Sequence, residues 1–154
     1  MGLLLVLNLH GEINASAPVR KALGELKLEK RFSASVVPDD PSTLGALRLC
    51  KDRLAWAPIE ASILTSLLEK RGMVSTTKVL DQDALKQMGF KDYGELAEMM
   101  LKNGTRLSAV GGLRPFFKLS PPKGGFKKSM RRSTSEGGIM GRNPDLLELI
   151  GRMI

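Results

Sequence analysis

Gly2-Leu3-Leu4-Leu5-Val6-Leu7-Asn8-Leu9 decides how the rest of the chain is read. The run is short, apolar and stopped near Gly11, which marks a buried strand. Its apolar core, Leu3 to Leu7, is the longest in the sequence and far short of the about 20 residues of a membrane span. No basic segment precedes it and no small-residue cleavage pattern follows it, so it does not read as a signal peptide.

Working outward, residues 16–28 predict a helix. Ser16 can cap it and Pro18 is tolerated in its first turn. Val19, Ala22, Leu23 and Leu26 recur at helical spacing and form one apolar face. Residues 33–37 predict a second strand, stopped by Pro38-Asp39-Asp40-Pro41, where the two acids read as a solvated turn. Ser42 then caps a second helix reaching about Arg53. Leu47, Cys50 and Leu54 share its inner face, which makes Cys50 a core residue rather than a reactive thiol. The first 57 residues thus read as a β-α-β-α core.

A helical block follows over residues 58–112. Residues 59–71 carry Ile59, Ile63, Leu64, Leu67 and Leu68 on one side and stop at Gly72, placed for a left-handed C-cap. Asp81 caps a short helix ending near Gly89. Asp92 caps another that turns Leu96, Met99 and Met100 inward and ends at Asn103-Gly104. Residues 115–119 predict a further strand, which Pro115 can begin at a sheet edge. Residues 120–141 are rich in Gly, Ser, Lys and Arg, lack an apolar period and read as a long loop. Asn143-Pro144-Asp145 opens a last helix, with Leu146, Leu147, Leu149, Ile150 and Met153 on its apolar side.

The 154 residues suffice for one domain, burying roughly two-thirds of the unfolded surface. Apolar residues make up 42% and charged residues 26%, which is globular composition. One cysteine excludes an internal disulfide. One histidine beside it argues against a Cys/His zinc site. A reduced, cytosolic compartment follows, and Asn14-Ala15-Ser16 and Asn103-Gly104-Thr105 are then chance sequons.

Charge carries the functional signal. There are 24 Lys and Arg against 16 Asp and Glu, a net +8. Residues 113–135 hold seven basic groups and no acidic one: Arg114, Lys118, Lys123, Lys127, Lys128, Arg131 and Arg132. A solvated surface run ordinarily mixes signs, so this pattern points to a polyanion, nucleic acid before membrane.

Catalytic patterns are missing. No stretch matches a Walker phosphate loop, and Lys123-Gly124-Gly125-Phe126-Lys127-Lys128-Ser129 has the wrong order for one. Gly137-Gly138-Ile139-Met140-Gly141 does not match a dinucleotide fingerprint. His10 has no nucleophile motif around it and reads as a surface or satisfied residue. The segment 116–132 fits RNA instead. Its cations neutralise phosphates, Gly124 and Gly125 allow close backbone approach, and Phe126 either stacks on an unpaired base or tucks into the fold.

Phe117 to Lys128, then Glu136-Gly137-Gly138 and Gly141-Arg142, resemble the archaeal large-subunit ribosomal protein L thirty family, whose eukaryotic counterpart is called L seven. Val36-Val37-Pro38 to Gly45, Lys51-Asp52, Trp56 and Ile59-Glu60 carry the resemblance further. Leu23, Leu26 and Leu28 fit it too, so nearly the whole chain is covered. The resemblance implies an α+β fold: a β-α-β-α-β core with an antiparallel three-stranded sheet, a helical insertion, and a basic extension ending in a helix. Residues 54–58 and 115–119 compete for the third core strand. The later segment is favoured for its apolar Phe116, Phe117 and Leu119. Residues 113–154 would then hold that strand, the basic loop and the last helix.

The resemblance also implies binding of 23S-type large-subunit rRNA near the 5S rRNA, with neighbouring ribosomal proteins and no catalysis. It implies no cofactor, metal, membrane or small-molecule partner, and a place on the cytoplasmic ribosome. Expected contacts add Arg20, Lys21, Arg48, Lys51 and Arg142 to the basic segment. The family usually shows Tyr-Arg-Gly where this chain has Thr43-Leu44-Gly45. Either Arg48 and Lys51 replace the missing cation or that phosphate contact is absent. The rival reading, a DNA-binding regulator, needs a basic recognition helix, and no helical segment is strongly basic.

Overall fold

A computed structural model describes residues 2–154. The opening run is strand β1 (Leu3–Asn8). It is followed by α1 (Ala17–Glu25), β2 (Ser33–Pro38), α2 (Pro41–Leu49) and β3 (Leu54–Pro58). Helices α3 (Ala61–Arg71), α4 (Gln82–Gln87) and α5 (Tyr93–Asn103) come next. Then come β4 (Phe117–Lys118), β5 (Ser129–Ser133), β6 (Gly138–Arg142) and α6 (Leu146–Met153). The strands form one mixed sheet in the order β4-β2-β1-β3-β6-β5. β1 runs antiparallel to both neighbours, with Leu5 opposite Val36 on one side and Ala57 on the other. β6 is parallel to β3 and to β5.

Side chains alternate across a strand, so β1 feeds two cores. Leu3, Leu5 and Leu7 meet Leu64, Leu67, Leu96 and Ile150 from the later helices. Leu4 and Val6 meet Leu23, Leu47, Cys50 and Trp56 on the side of α1 and α2. With helices on both faces, no position of β1 is free to be polar except Asn8, and the run reads as continuously apolar. Residues from 2–57, 58–112 and 113–154 all enter the larger core.

The third core strand is residues 54–58, not 115–119, and the sheet has six mixed strands rather than three antiparallel ones. Ala55 and Ala57 look weakly apolar, but both are buried in the larger core, and α6 packs against their strand. Phe117 is buried as expected. Pro115 and Pro121-Pro122 nonetheless limit its strand to two residues at the edge beside β2, opposite Ala34.

The expected loop 120–141 contains β5 and all of β6 but its last residue, Arg142. The free edge of β3 supplies the reason: Ala55 pairs with Gly141 and Trp56 with Arg142. That partner lies more than eighty residues upstream, so local periodicity carries no trace of it. β5 and β6 are joined by the single turn Thr134–Gly137, far shorter than an ordinary parallel crossover, and their register shifts. A Cβ at Gly138 would strike the Arg132 carbonyl, so only glycine fits there.

Helix ends differ in detail. Asp40, not Ser42, caps α2: it accepts the Thr43 N–H at 2.7 Å, which lowers its pKa, and Pro41 sits in the first turn. The helix ends at Leu49, because Leu54 is already in β3. Ser16 occupies the N-cap of α1 without a side-chain cap bond, and that helix ends at Glu25. Gly72 is not left-handed (φ −64°). It is glycine because a Cβ would meet the Leu68 carbonyl. Asn143 does not open α6 directly. It accepts the Asp145 N–H at 2.9 Å in a turn, and the helix starts at Leu146. Asp81 and Asp92 cap α4 and α5 as expected, and Gly104 is left-handed at φ 62°. Among the described residues, no helix is long and apolar enough to cross a membrane.

Candidate nucleic-acid interface

The site begins with Asn8, the one polar side chain of β1, which is fully buried. Its Nδ2 donates to the Leu28 carbonyl. Its Oδ1 accepts the N–H of His10 at 3.1 Å and of Gly11 at 2.8 Å. These bonds fold the chain sharply as it leaves the sheet, with Gly11 left-handed at φ 71°. The turn aims His10 at β5, where Nε2 lies 2.7 Å from the Met130 carbonyl. A carbonyl only accepts, so Nε2 carries the hydrogen.

Two arginines brace the same turn. Arg31 donates from Nε to the Leu9 carbonyl at 3.1 Å, and Arg53 from Nη1 to the Gly11 carbonyl at 3.1 Å. Two adjoining clefts result, both lined by His10, Ile13 and Arg131. The larger, about 610 Å³, adds Lys30, Arg31 and Met130. The other, about 470 Å³, adds Asn14 and Arg53. Glu12 and Glu29 line the first and Asp52 the second, yet none pairs with these cations. The single ion pair among the described residues is Lys128–Asp145, at 3.3 Å on the surface. Ile13 stands on the rim, 76% exposed.

A second part of the surface lies over α3 and α6. Gly124 and Gly125 are left-handed (φ 81° and 73°), with open space where a Cβ would sit. Conformation, not close packing, therefore selects glycine there. Arg152 donates from Nη1 to the carbonyls of Lys123 (3.3 Å) and Gly125 (2.8 Å), and accepts the Lys123 N–H at 3.1 Å through its own carbonyl. Arg71 donates to the Ser120 hydroxyl at 2.8 Å. Lys118, Lys123 and Lys127 stay exposed around this pinned turn.

Phe126 takes the tucked position. It is half-buried, stacked on Phe32 with ring centroids 6.1 Å apart and planes at 24°. The Arg31 guanidinium lies 4.6 Å from the Phe32 ring centre, and Phe32 itself has φ 59°, a strained value for a bulky residue. The same Arg31 thus touches both the cleft and the aromatic pair. Arg114 lies 4.6 Å from the centre of the Phe116 ring.

The expected contacts are not all gathered in one place. Arg131 joins the clefts at the sheet end, and Lys123 to Phe126 form the pinned turn. Lys127 and Lys128 border a cleft that also holds Asp145 and Glu148. Arg132 is exposed on β5. Arg20, Lys21, Arg48 and Lys51 are exposed on and just after α1 and α2. Arg142 is exposed at the end of β6, level with Trp56. Thr43 is buried and Leu44 packs against the smaller core, so neither offers a charge to a ligand. Sequence reasoning missed His10, Lys30, Arg31, Arg53, Arg71 and Arg152. Only Lys30-Arg31, adjacent cations before a strand, gave any signal. The others act by reaching distant carbonyls.

No family model matches the chain. Three relatives, each named large ribosomal subunit protein uL30, match it along its length. That of Thermofilum pendens is 36% identical over 156 residues, covering all of both chains. That of Ignicoccus hospitalis is 37% identical over 155 residues, 99% of this chain and 98% of the relative. That of Nitrosopumilus maritimus is 31% identical over 150 residues, 97% of each.

Proposed function

The chain belongs to the large ribosomal subunit protein uL30 family, and on that premise we propose that it is a structural, non-enzymatic constituent of the large ribosomal subunit. It binds 23S-type rRNA close to the 5S rRNA and touches neighbouring ribosomal proteins on the cytoplasmic ribosome. Residues 1–57 and 58–112 serve as the scaffold, and residues 113–154 present most of the RNA-facing charge. The observation that carries this reading is the acid-free stretch 113–135, which anchors Phe117 and Leu119 in the core and leaves six of its seven cations exposed, with Arg114 half-buried.

The mechanism is charge neutralisation on a preset shape. Each phosphate contact adds about 0.7–0.9 to the logarithmic salt slope, so seven give a magnitude of roughly 5. Replacing Lys127, Lys128, Arg131 and Arg132 together by alanine removes about 3 of it. The deciding test is a gradient of native extract with rising salt washes, probed for this chain. Retention on the large subunit after a moderate wash supports the reading. A chain free of the subunit at low salt overturns it. Tighter binding to duplex DNA than to large-subunit rRNA favours a DNA-binding regulator instead.

A further inference from the structure

We propose that His10 is a positioning residue: it latches β5 to the end of β1, so that Arg131 and the braced Arg31 and Arg53 face a phosphodiester across the adjoining clefts. The inference rests on the reading of the chain as an RNA-binding protein and adds a specific site to it.

β5 is the outermost strand, mostly exposed, and its pairing with β6 is irregular. Such a strand has little to hold its register. The His10 Nε2–H to Met130 carbonyl bond, at 2.7 Å and across 120 residues of sequence, ties its first half to the body of the molecule. The tie acts one residue before Arg131, which lines both clefts. Arg31 and Arg53 each give one N–H to a carbonyl, which fixes the guanidinium and leaves its other donors free. Neither is paired with a carboxylate. Fixed guanidinium groups that keep free N–H donors are the geometry that grips a phosphate through two parallel bonds. Glu12, Glu29 and Asp52 line the same clefts without pairing with these arginines. His10 is held by Asn8, itself buried, so the latch stands on a rigid base.

The test uses the full chain and deproteinised large-subunit rRNA, with affinity measured across a potassium chloride series. Compared with the native chain are His10→Ala, His10→Gln, Arg131→Ala and the His10→Ala/Arg131→Ala pair. His10→Ala is expected to weaken binding about tenfold and flatten the slope by about one contact, as Arg131→Ala does. The pair should then be no weaker than Arg131→Ala alone. His10→Gln, whose amide can donate to the Met130 carbonyl, should recover most of the loss. Native binding by His10→Ala, or losses that multiply in the pair, overturns the latch. Hydrogen exchange of residues 129–133 in the free protein reads the latch without RNA. Faster exchange in His10→Ala, restored in His10→Gln, supports it, and unchanged exchange overturns it. A native chain that binds no rRNA fails the RNA reading, while the exchange result still decides the latch.

Discussion

β1 and β5 are strands of the same sheet held by opposite means. β1 is buried on both faces among leucines and valines, and its place follows from apolar area alone. β5 is an exposed edge strand carrying Arg131 and Arg132. Its neighbourhood is held by side chains reaching carbonyls: His10 to Met130, and Arg152 to Lys123 and Gly125. A surface strand that keeps its cations outside cannot be anchored by a core. It is tied down by sparse polar bonds whose loss leaves the rest folded.

The contrast predicts a graded series of losses. Leu5→Ala, at the centre of β1 with no exposed surface, should cost about 3 kcal/mol in urea unfolding. Asn8→Ala leaves two N–H groups and a carbonyl short of partners and should cost about 2 kcal/mol by the same measurement. Arg152→Ala should cost about 1 kcal/mol and show mainly as faster hydrogen exchange near Gly125. An Arg152→Ala loss as large as that of Leu5→Ala would break the contrast. Lys128→Ala removes an exposed ion pair and should change stability by less than about 0.5 kcal/mol.

Acid titration sharpens the comparison from the core side. The Thr43 N–H holds the Asp40 carboxyl below the usual range, so protons prefer the unfolded chain. The cap's stabilisation is present above the unfolded pKa and is lost as pH falls through the folded one. The gap in Tm between the native chain and Asp40→Ala should therefore narrow between about pH 6 and about pH 3. A constant gap would show that the cap acts without its charge.

Much of the fold was legible because it is locally encoded. The runs at 3–8 and 33–38, the aspartate caps at 81 and 92, and the turn at Asn103-Gly104 each carry their reason within a few residues. Residues 54–58 were undervalued because two alanines look weak until they are seen buried in the larger core. Residues 129–141 were read as part of a loop because their strand character comes from the open edge of β3. The site divides the same way. The cation-rich segment was plain in composition, whereas His10 and Arg53 have no distinguishing neighbours in the chain.

By itself the sequence determined a buried first strand and the acid-free segment, since side-chain transfer energies and net charge need no partner to be counted, while the α+β class came with the family resemblance. Only the tertiary structure decided that Leu54–Pro58 is the third strand, that β5 and β6 extend the sheet, and that His10 meets Met130. Those outcomes depend on hydrogen-bonding edges and carbonyls brought together from far along the chain, and such groups are the same at every residue.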